Sequence, residues 1–145
     1  RVRRLYCRPA SSARPRTDTK MRTTEDMDDL LAHLELPYER LGEVMWVLVQ
    51  ESEKLVLCAT GELVTFRMKV ADLPPNPSLE LFRRLLELNA SALVHGAFGI
   101  EGDALVLVDS LELANLDGNE LAAVIAAFEL AVAEHRNELA LLLQS

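Results

Sequence analysis

The sequence is short of cysteine, of long apolar runs and of anything resembling a catalytic motif. Its two cysteines, Cys7 and Cys58, lie one in a basic tail and one inside an apolar segment. That is too few, and too badly placed, for a disulfide framework or a zinc knuckle, so a reducing, cytoplasmic setting is expected. The longest uninterrupted apolar run, Leu121 to Phe128, is eight residues, against the roughly 18 or more that a bilayer-crossing helix needs. No internal repeat or low-complexity stretch interrupts the body of the chain. Positive charge is also scarce: 15 Lys and Arg oppose 23 Asp and Glu, a net charge of −8. Half of the 145 residues are hydrophobic and 26% charged, the composition of a soluble domain with a packed core.

The charge is unevenly spread. Residues 1–20 hold Arg1, Arg3, Arg4, Arg8, Arg14, Arg16 and Lys20 against Asp18 alone, a net of +6, which leaves −14 on residues 21–145. With Pro9, Ser11, Ser12 and Pro15 and little that is apolar, the first 20 residues cannot offset the entropy of ordering, so they are expected to form a disordered basic tail outside the domain. Three explanations stay open: an arm for nucleic acid or anionic lipid, a transit-like segment, or an upstream segment foreign to a protein that starts at Met21, the last being favoured because organised sequence follows at once. Residues 21–145 are read as a single domain. Their acidity argues against nucleic acid as the main partner, because neutralising phosphates needs a basic surface.

Thr23 or Thr24 followed by Glu25, Asp26, Asp28 and Asp29 marks a helix N-terminus, and Met27, Leu30, Leu31 and Leu34 recur at helical spacing, so a first helix is expected from about Thr24 to Leu36, ended by Pro37. Val44 to Val49 is apolar on both faces and reads as a strand covered on both sides. Glu51, Ser52 and Glu53 supply a turn into Leu55–Cys58, closed by Gly61 and Glu62. Val64, Phe66, Met68 and Val70 alternate with polar residues, as in a strand with one face on a core. Three strands joined by short turns imply an antiparallel meander.

Pro74, Pro75 and Pro77 then break the pattern, and Ser78 caps a second helix, about Leu79 to Ala90, whose inward stripe is read as Leu79, Phe82, Leu85, Leu86 and Asn89, widened by Leu81 and Leu88. Strands Leu93–Glu101 and Ala104–Asp109 flank Gly102-Asp103, a two-residue turn of type II′. Asp117 to Glu120 is a capping box opening a long third helix with Leu121, Val124, Ile125, Phe128 and Val132 toward the core. The order α-β-β-β-α-β-β-α defines an α+β fold, an antiparallel sheet packed by helices.

Two stretches carry a family resemblance: Leu81 to Ala90, ending in Leu-Asn-Ala, and the Gly-centred hairpin Phe98 to Leu107 with its sequel Leu113 to Leu121, which contains Leu-Asp-x-x-Glu-Leu. Together they resemble the YbjN-like family, described as bacterial sensory transduction regulators, and through it the class I, CesT-type chaperones of type III secretion, over residues 22 to 145. The resemblance implies a chaperone-like α+β fold, frequently dimeric, that binds other polypeptides. It implies no catalytic residue and no cofactor.

The residues themselves assemble no reactive constellation. His33, His95 and His135 have no second ligand at metal-binding spacing, and His95 is expected to be a partly buried imidazole bonded to backbone within a strand. Cys58 reads as a buried small hydrophobe. Asp103 and Asp109 suit a turn and a strand end rather than a carboxylate pair. The spacing Gly96-x-x-Gly99-x-x-Gly102 has no helix N-terminus after it to receive a phosphate. Trp46 is either core or an aromatic anchor for a peptide. Leu30, Leu31 and Leu34 are either core or a docking edge, so these four are the candidate partner-binding residues. Leu81, Leu85 and Leu88 on the second helix, and Ala123, Ala126 and Ala127 on the back of the third, are the candidate dimer interface.

The favoured expectation is a non-enzymatic protein-binding module, chaperone-like or regulatory, a homodimer that binds an extended polypeptide and needs no cofactor, nucleic acid or membrane. The alternative is an enzyme or small-molecule sensor with a pocket between the second helix and the sheet. A nucleic-acid regulator using the Arg-rich arm is the weaker third.

Overall fold

The computed structural model describes residues 23–50 and 53–145, so the basic tail, Cys7 and the turn residues Glu51 and Ser52 lie outside it. Helix α1 covers Thr24–His33 and opens on the expected acidic turn: the Asp26 carboxylate accepts the Thr23 backbone N–H at 2.7 Å. It ends three residues before the expected Leu36, with Glu35 in the left-handed region at φ +54°. Beyond Pro37 lies a strand that periodicity did not signal, β1, Tyr38–Arg40. Three residues are too few to display an alternation.

Strands β2 (Met45–Gln50), β3 (Glu53–Thr60) and β4 (Leu63–Asp72) form the predicted meander. The two-residue turn Gly61-Glu62 joins β3 to β4, with Gly61 at φ +60° supplying the turn conformation that a side chain would resist. After the proline loop, α2 runs Leu79–Ser91, with the Ser78 hydroxyl oxygen accepting Leu81 N–H at 3.1 Å. Strands β5 (Ala97–Glu101) and β6 (Ala104–Glu112) make the predicted hairpin, and α3 fills Gly118–Gln144. Its capping box has both arms, Glu120 N–H to Asp117 at 2.8 Å and Asp117 N–H to Glu120 at 3.3 Å.

The six strands form one antiparallel sheet in the order β1-β2-β3-β4-β6-β5. Six rather than five strands is the addition of β1 to an otherwise matching α+β order. Inward residues of the sheet, among them Trp46, Leu48, Leu55, Leu57, Phe66, Met68, Phe98 and Leu107, belong to one core cluster with residues from all three helices. On α3 the predicted stripe Leu121, Val124, Ile125, Phe128 and Val132 is buried. Phe128 meets Phe66 edge to face, with ring centroids 6.5 Å apart.

One face of the sheet is therefore packed and the other open. The strand read as covered on both sides is not: Trp46 and Leu48 are fully buried, while Val44 and Val49 are exposed and Met45 and Val47 half-buried. An apolar run is ambiguous because β-branched residues suit a pleated surface whether or not a second layer covers it.

Candidate functional site

Each candidate partner-binding residue has a definite place. Leu30, Leu31 and Trp46 are buried in the core, and Leu34 packs partly buried against it. In the single chain Leu30, Leu31 and Trp46 are thus turned into the core, α1 packing its own leucines over the indole, while Leu34 just past the helix keeps part of its surface free. Asp28 on α1 holds that arrangement. Its carboxylate accepts the Trp46 Nε1–H at 3.0 Å and the Arg40 guanidinium of β1, which also stands 5.5 Å over the indole ring. The Tyr38 hydroxyl donates to the Asp28 carbonyl at 3.5 Å. Desolvation and then the Asp28 charge push the Tyr38 phenol above its ordinary value. Strand β1, absent from the sequence expectation, is thus the clip that fastens α1.

On α2 the inward stripe is rotated relative to expectation: Leu85 and Asn89 face the sheet as expected, but Leu79 and Leu86 do not. Leu81, Leu85 and Leu88, the candidate interface residues, face the core and are buried, while Leu79 is 82% and Leu86 69% exposed. With Phe82, Ala90 and the flanking Arg83 and Glu87, those two leucines line a shallow apolar depression of about 550 Å³. The helical phase is set by Asn89, whose amide donates to the Phe98 carbonyl at 3.0 Å and accepts the Phe98 N–H at 2.7 Å. Asn89 pins α2 to β5 in the register that turns Leu85 and Leu88 inward. On α3, Ala123 and Ala126 are exposed and Ala127 half-buried, beside exposed Leu130 and Leu141.

The space expected to hold a pocket between α2 and the sheet is filled by Leu81, Leu85 and Leu88. The depressions near α2 lie elsewhere. One, between α2 and α3, is crossed by Arg84, whose Nε and Nη2 donate along one guanidinium edge to the two carboxylate oxygens of Glu138 at 2.5 and 3.3 Å. That hydrogen bond lowers the Glu138 carboxyl and raises the Arg84 guanidinium. Another is bounded by Leu73, the three prolines of the loop, Phe82 and Ile100.

The histidines stay apart. His33 approaches the Asp29 carbonyl, and His135 lies 3.7 Å from Glu138. His95 sits in the turn before β5 rather than in a strand, 3.7 Å from the Asp109 carboxylate rather than bonded to backbone. Among the described residues no group of three or more His, Cys, Asp or Glu is placed to hold a metal ion, and no helix is long and apolar enough to cross a membrane. Cys58 is only half-buried, on the open face of β3, 3.7 Å from the Thr60 hydroxyl. The expectation of a buried thiol fails because position 58 points away from the packed layer.

The open sheet face is the second apolar surface. Val47, Val56, Arg67, Val108 and Ala97 are register partners from β2 to β5, so they form one row across the sheet. Val49 and Lys54 pair on one side of the next row, and Lys69, Val106 and Gly99 on the other. Residues missed as functional candidates thus include Leu79, Leu86 and this face. Its only sequence signal is the Thr65, Arg67, Lys69 alternation, which by itself denotes a solvated edge.

The arrangement of three helices on one face of such a sheet is shared with known proteins. The CesT_Tir_1 family model matches residues 20–145. The chain belongs to the CesT_Tir_1 family. Among solved structures similar to this CesT_Tir_1 member is a chain of the heterodimeric ExoU–SpcU complex from the type III secretion system of Pseudomonas aeruginosa, 20% identical, with a TM-score of 0.62 over 81% of this chain and 97% of that one. The Yersinia pestis type III secretion chaperone SycH, in complex with a fragment of YscM2, gives 15% identity and a TM-score of 0.59 over 77% and 98%. YbjN from E. coli gives 16% and 0.61 over 80% and 93%. No curated protein matches the sequence. At these identities the structural likeness establishes the fold, the type III secretion chaperone-like α+β architecture expected from the Leu-Asn-Ala and Leu-Asp-x-x-Glu-Leu stretches.

Proposed function

We propose that this protein is a non-enzymatic, polypeptide-binding chaperone or regulator that acts as a homodimer. The observation that carries the reading is the amount of apolar surface left without a partner in a single chain: the outer row of α2, with Leu79 and Leu86 mostly exposed, and the open sheet face, where Val49 is exposed and Val47, Val56 and Val108 are only half-buried. Two distinct surfaces suit two tasks. The narrow α2 row suits a second copy, since a two-fold axis sets one helix row against itself. The broad sheet face suits a polypeptide client. SycH was solved with a fragment of YscM2, and the HopA1–SchA complex pairs a chaperone with its effector, which supports a polypeptide partner for this family member too.

The full chain, tagged and recovered from its native cells under gentle conditions, is expected to retain a specific polypeptide at fixed stoichiometry by native mass spectrometry. A bound metabolite in place of a polypeptide would replace this reading with the sensor alternative.

A further inference from the structure

The open sheet face concentrates the scarce cations of an acidic chain, with Glu101 and Asp72 beside two of them. Of the seven lysines and arginines among the described residues, three, Lys54, Arg67 and Lys69, stand together on it, although the whole chain has a net charge of −8. They come from neighbouring strands β3 and β4 and line, with Val56, Val106 and Glu101, a depression of about 290 Å³. Val106 is only 5% exposed yet stands outside the core cluster, so it belongs to this face. The valines of β2 and β3 lie on one side of the cations and Val106 and Val108 of β6 on the other.

The cations are available. Arg67 meets Glu101 at 2.8 Å and Lys69 meets Asp72 at 2.6 Å, but every one of these side chains is more than half exposed, and such pairs hold weakly in water. Lys54 is exposed and pairs with no acid among the described residues. A ligand that covers the valines also dries the cations, and a dried cation requires a counter-charge.

Resting on the polypeptide-binding reading, we propose that this face docks a partner segment in which apolar residues bracket one or more carboxylates, the carboxylates meeting Lys54, Arg67 and Lys69 and the apolar residues covering the valine rows. With strands about 4.8 Å apart, the row from β2 to β5 is about 19 Å long, which a helix of three to four turns would span. A nucleic acid fits less well. No aromatic side chain among the described residues lies on this face to stack a base, since Trp46, Phe66 and Phe98 are in the core on the other side.

A displayed library of random peptides of about 16 residues, selected on the full chain, tests this. Enriched peptides are expected to place Asp or Glu between apolar residues, and to bind the Arg67→Glu/Lys69→Glu variant, and separately Lys54→Glu, more weakly by about tenfold or more. All three positions are solvent-exposed, and an unchanged thermal midpoint verifies the fold of each variant. Enriched peptides that are basic, or that bind the variants as well as the parent, overturn the proposal while leaving polypeptide binding intact. Failure to enrich any peptide overturns both. A fluorescent single-stranded oligonucleotide that binds the parent at physiological salt, but not the variants, overturns it in favour of a nucleic-acid surface.

Discussion

Phe128 and Gly96 show how closely one spot in the core is fitted. Phe128 is fully buried against Phe66, and Phe128→Ala is expected to cost about 3–5 kcal/mol in urea denaturation, the transfer term plus a cavity. A cost below about 1 kcal/mol would mean that the ring's neighbours collapse into the space. Gly96 has φ +78°, and a Cβ there would stand 2.8 Å from a Phe128 ring carbon and 2.9 Å from the Val108 carbonyl oxygen. Gly96→Ala therefore meets both backbone strain and overlap, and a loss of about 1–3 kcal/mol is expected in the same measurement. Phe128 was legible as core from helical spacing alone. Gly96 was not, because its constraint comes from a ring 32 positions away in the sequence. Trp46 was legible only as a choice between core and anchor, and the deciding contact, Asp28, lies on another element.

The elements that periodicity identified are those long enough to repeat: α2, α3, β4 and the β5–β6 hairpin lie where spacing and turn chemistry put them, except that β5 starts at Ala97 and not at Leu93. The three-residue β1 was invisible, and on α2 Leu79 and Leu86 were assigned to the inward face although they lie outside it. Two leucine rows on one helix look equally apolar, and only the Asn89 bonds to Phe98 distinguish inside from outside. The attachment of α1 through β1 leads to an expected outcome. In Asp28→Ala the buried Trp46 N–H loses its acceptor, a cost of about 1–3 kcal/mol, and amide exchange in Thr24–His33 should rise more than in α3. Equal exchange rates would mean that Met27, Leu30 and Leu31 hold the helix by packing alone. Between α2 and α3 the Arg84–Glu138 pair sets a pH dependence. The Glu138 carboxyl is lowered chiefly by its hydrogen bond from Arg84, so its contribution is present above the ordinary carboxylate pKa and is lost as pH falls through the lowered folded value. Both side chains are more than a third exposed, which keeps the effect small. Thermal midpoints of the parent and Arg84→Gln should differ most near neutrality and converge in acid. A difference that persists in acid would assign the effect to packing of the arginine stem.

At the scale of the whole molecule, the acidic body, the single sheet and the surplus of apolar helix surface were all legible in composition and spacing, and the surplus is where the dimer expectation began. What spacing could not assign was its location. The outward residues of α2 are Leu79, Leu86 and Ala90 with half-buried Phe82, whereas the back of α3 offers exposed Ala123 and Ala126 with Leu130 and Leu141 further along. Helix α1 covers neither leucine of α2, because Asp28 ties it to Trp46 and Arg40 at the opposite end of the sheet. The α2 row is compact and bordered by Arg83 and Glu87, which are charges of opposite sign, so a symmetry mate laid antiparallel along it can cover the leucines and cross-pair the border. Light scattering at micromolar concentration is expected to give about twice 16.1 kDa. Leu86→Glu should return the mass to that of one chain, since each carboxylate would be desolvated against its own copy, while Ala126→Glu should leave it doubled. A single-chain mass for the parent across the concentration range rejects the dimer, and a doubled mass that Ala126→Glu abolishes and Leu86→Glu does not would move the interface to α3.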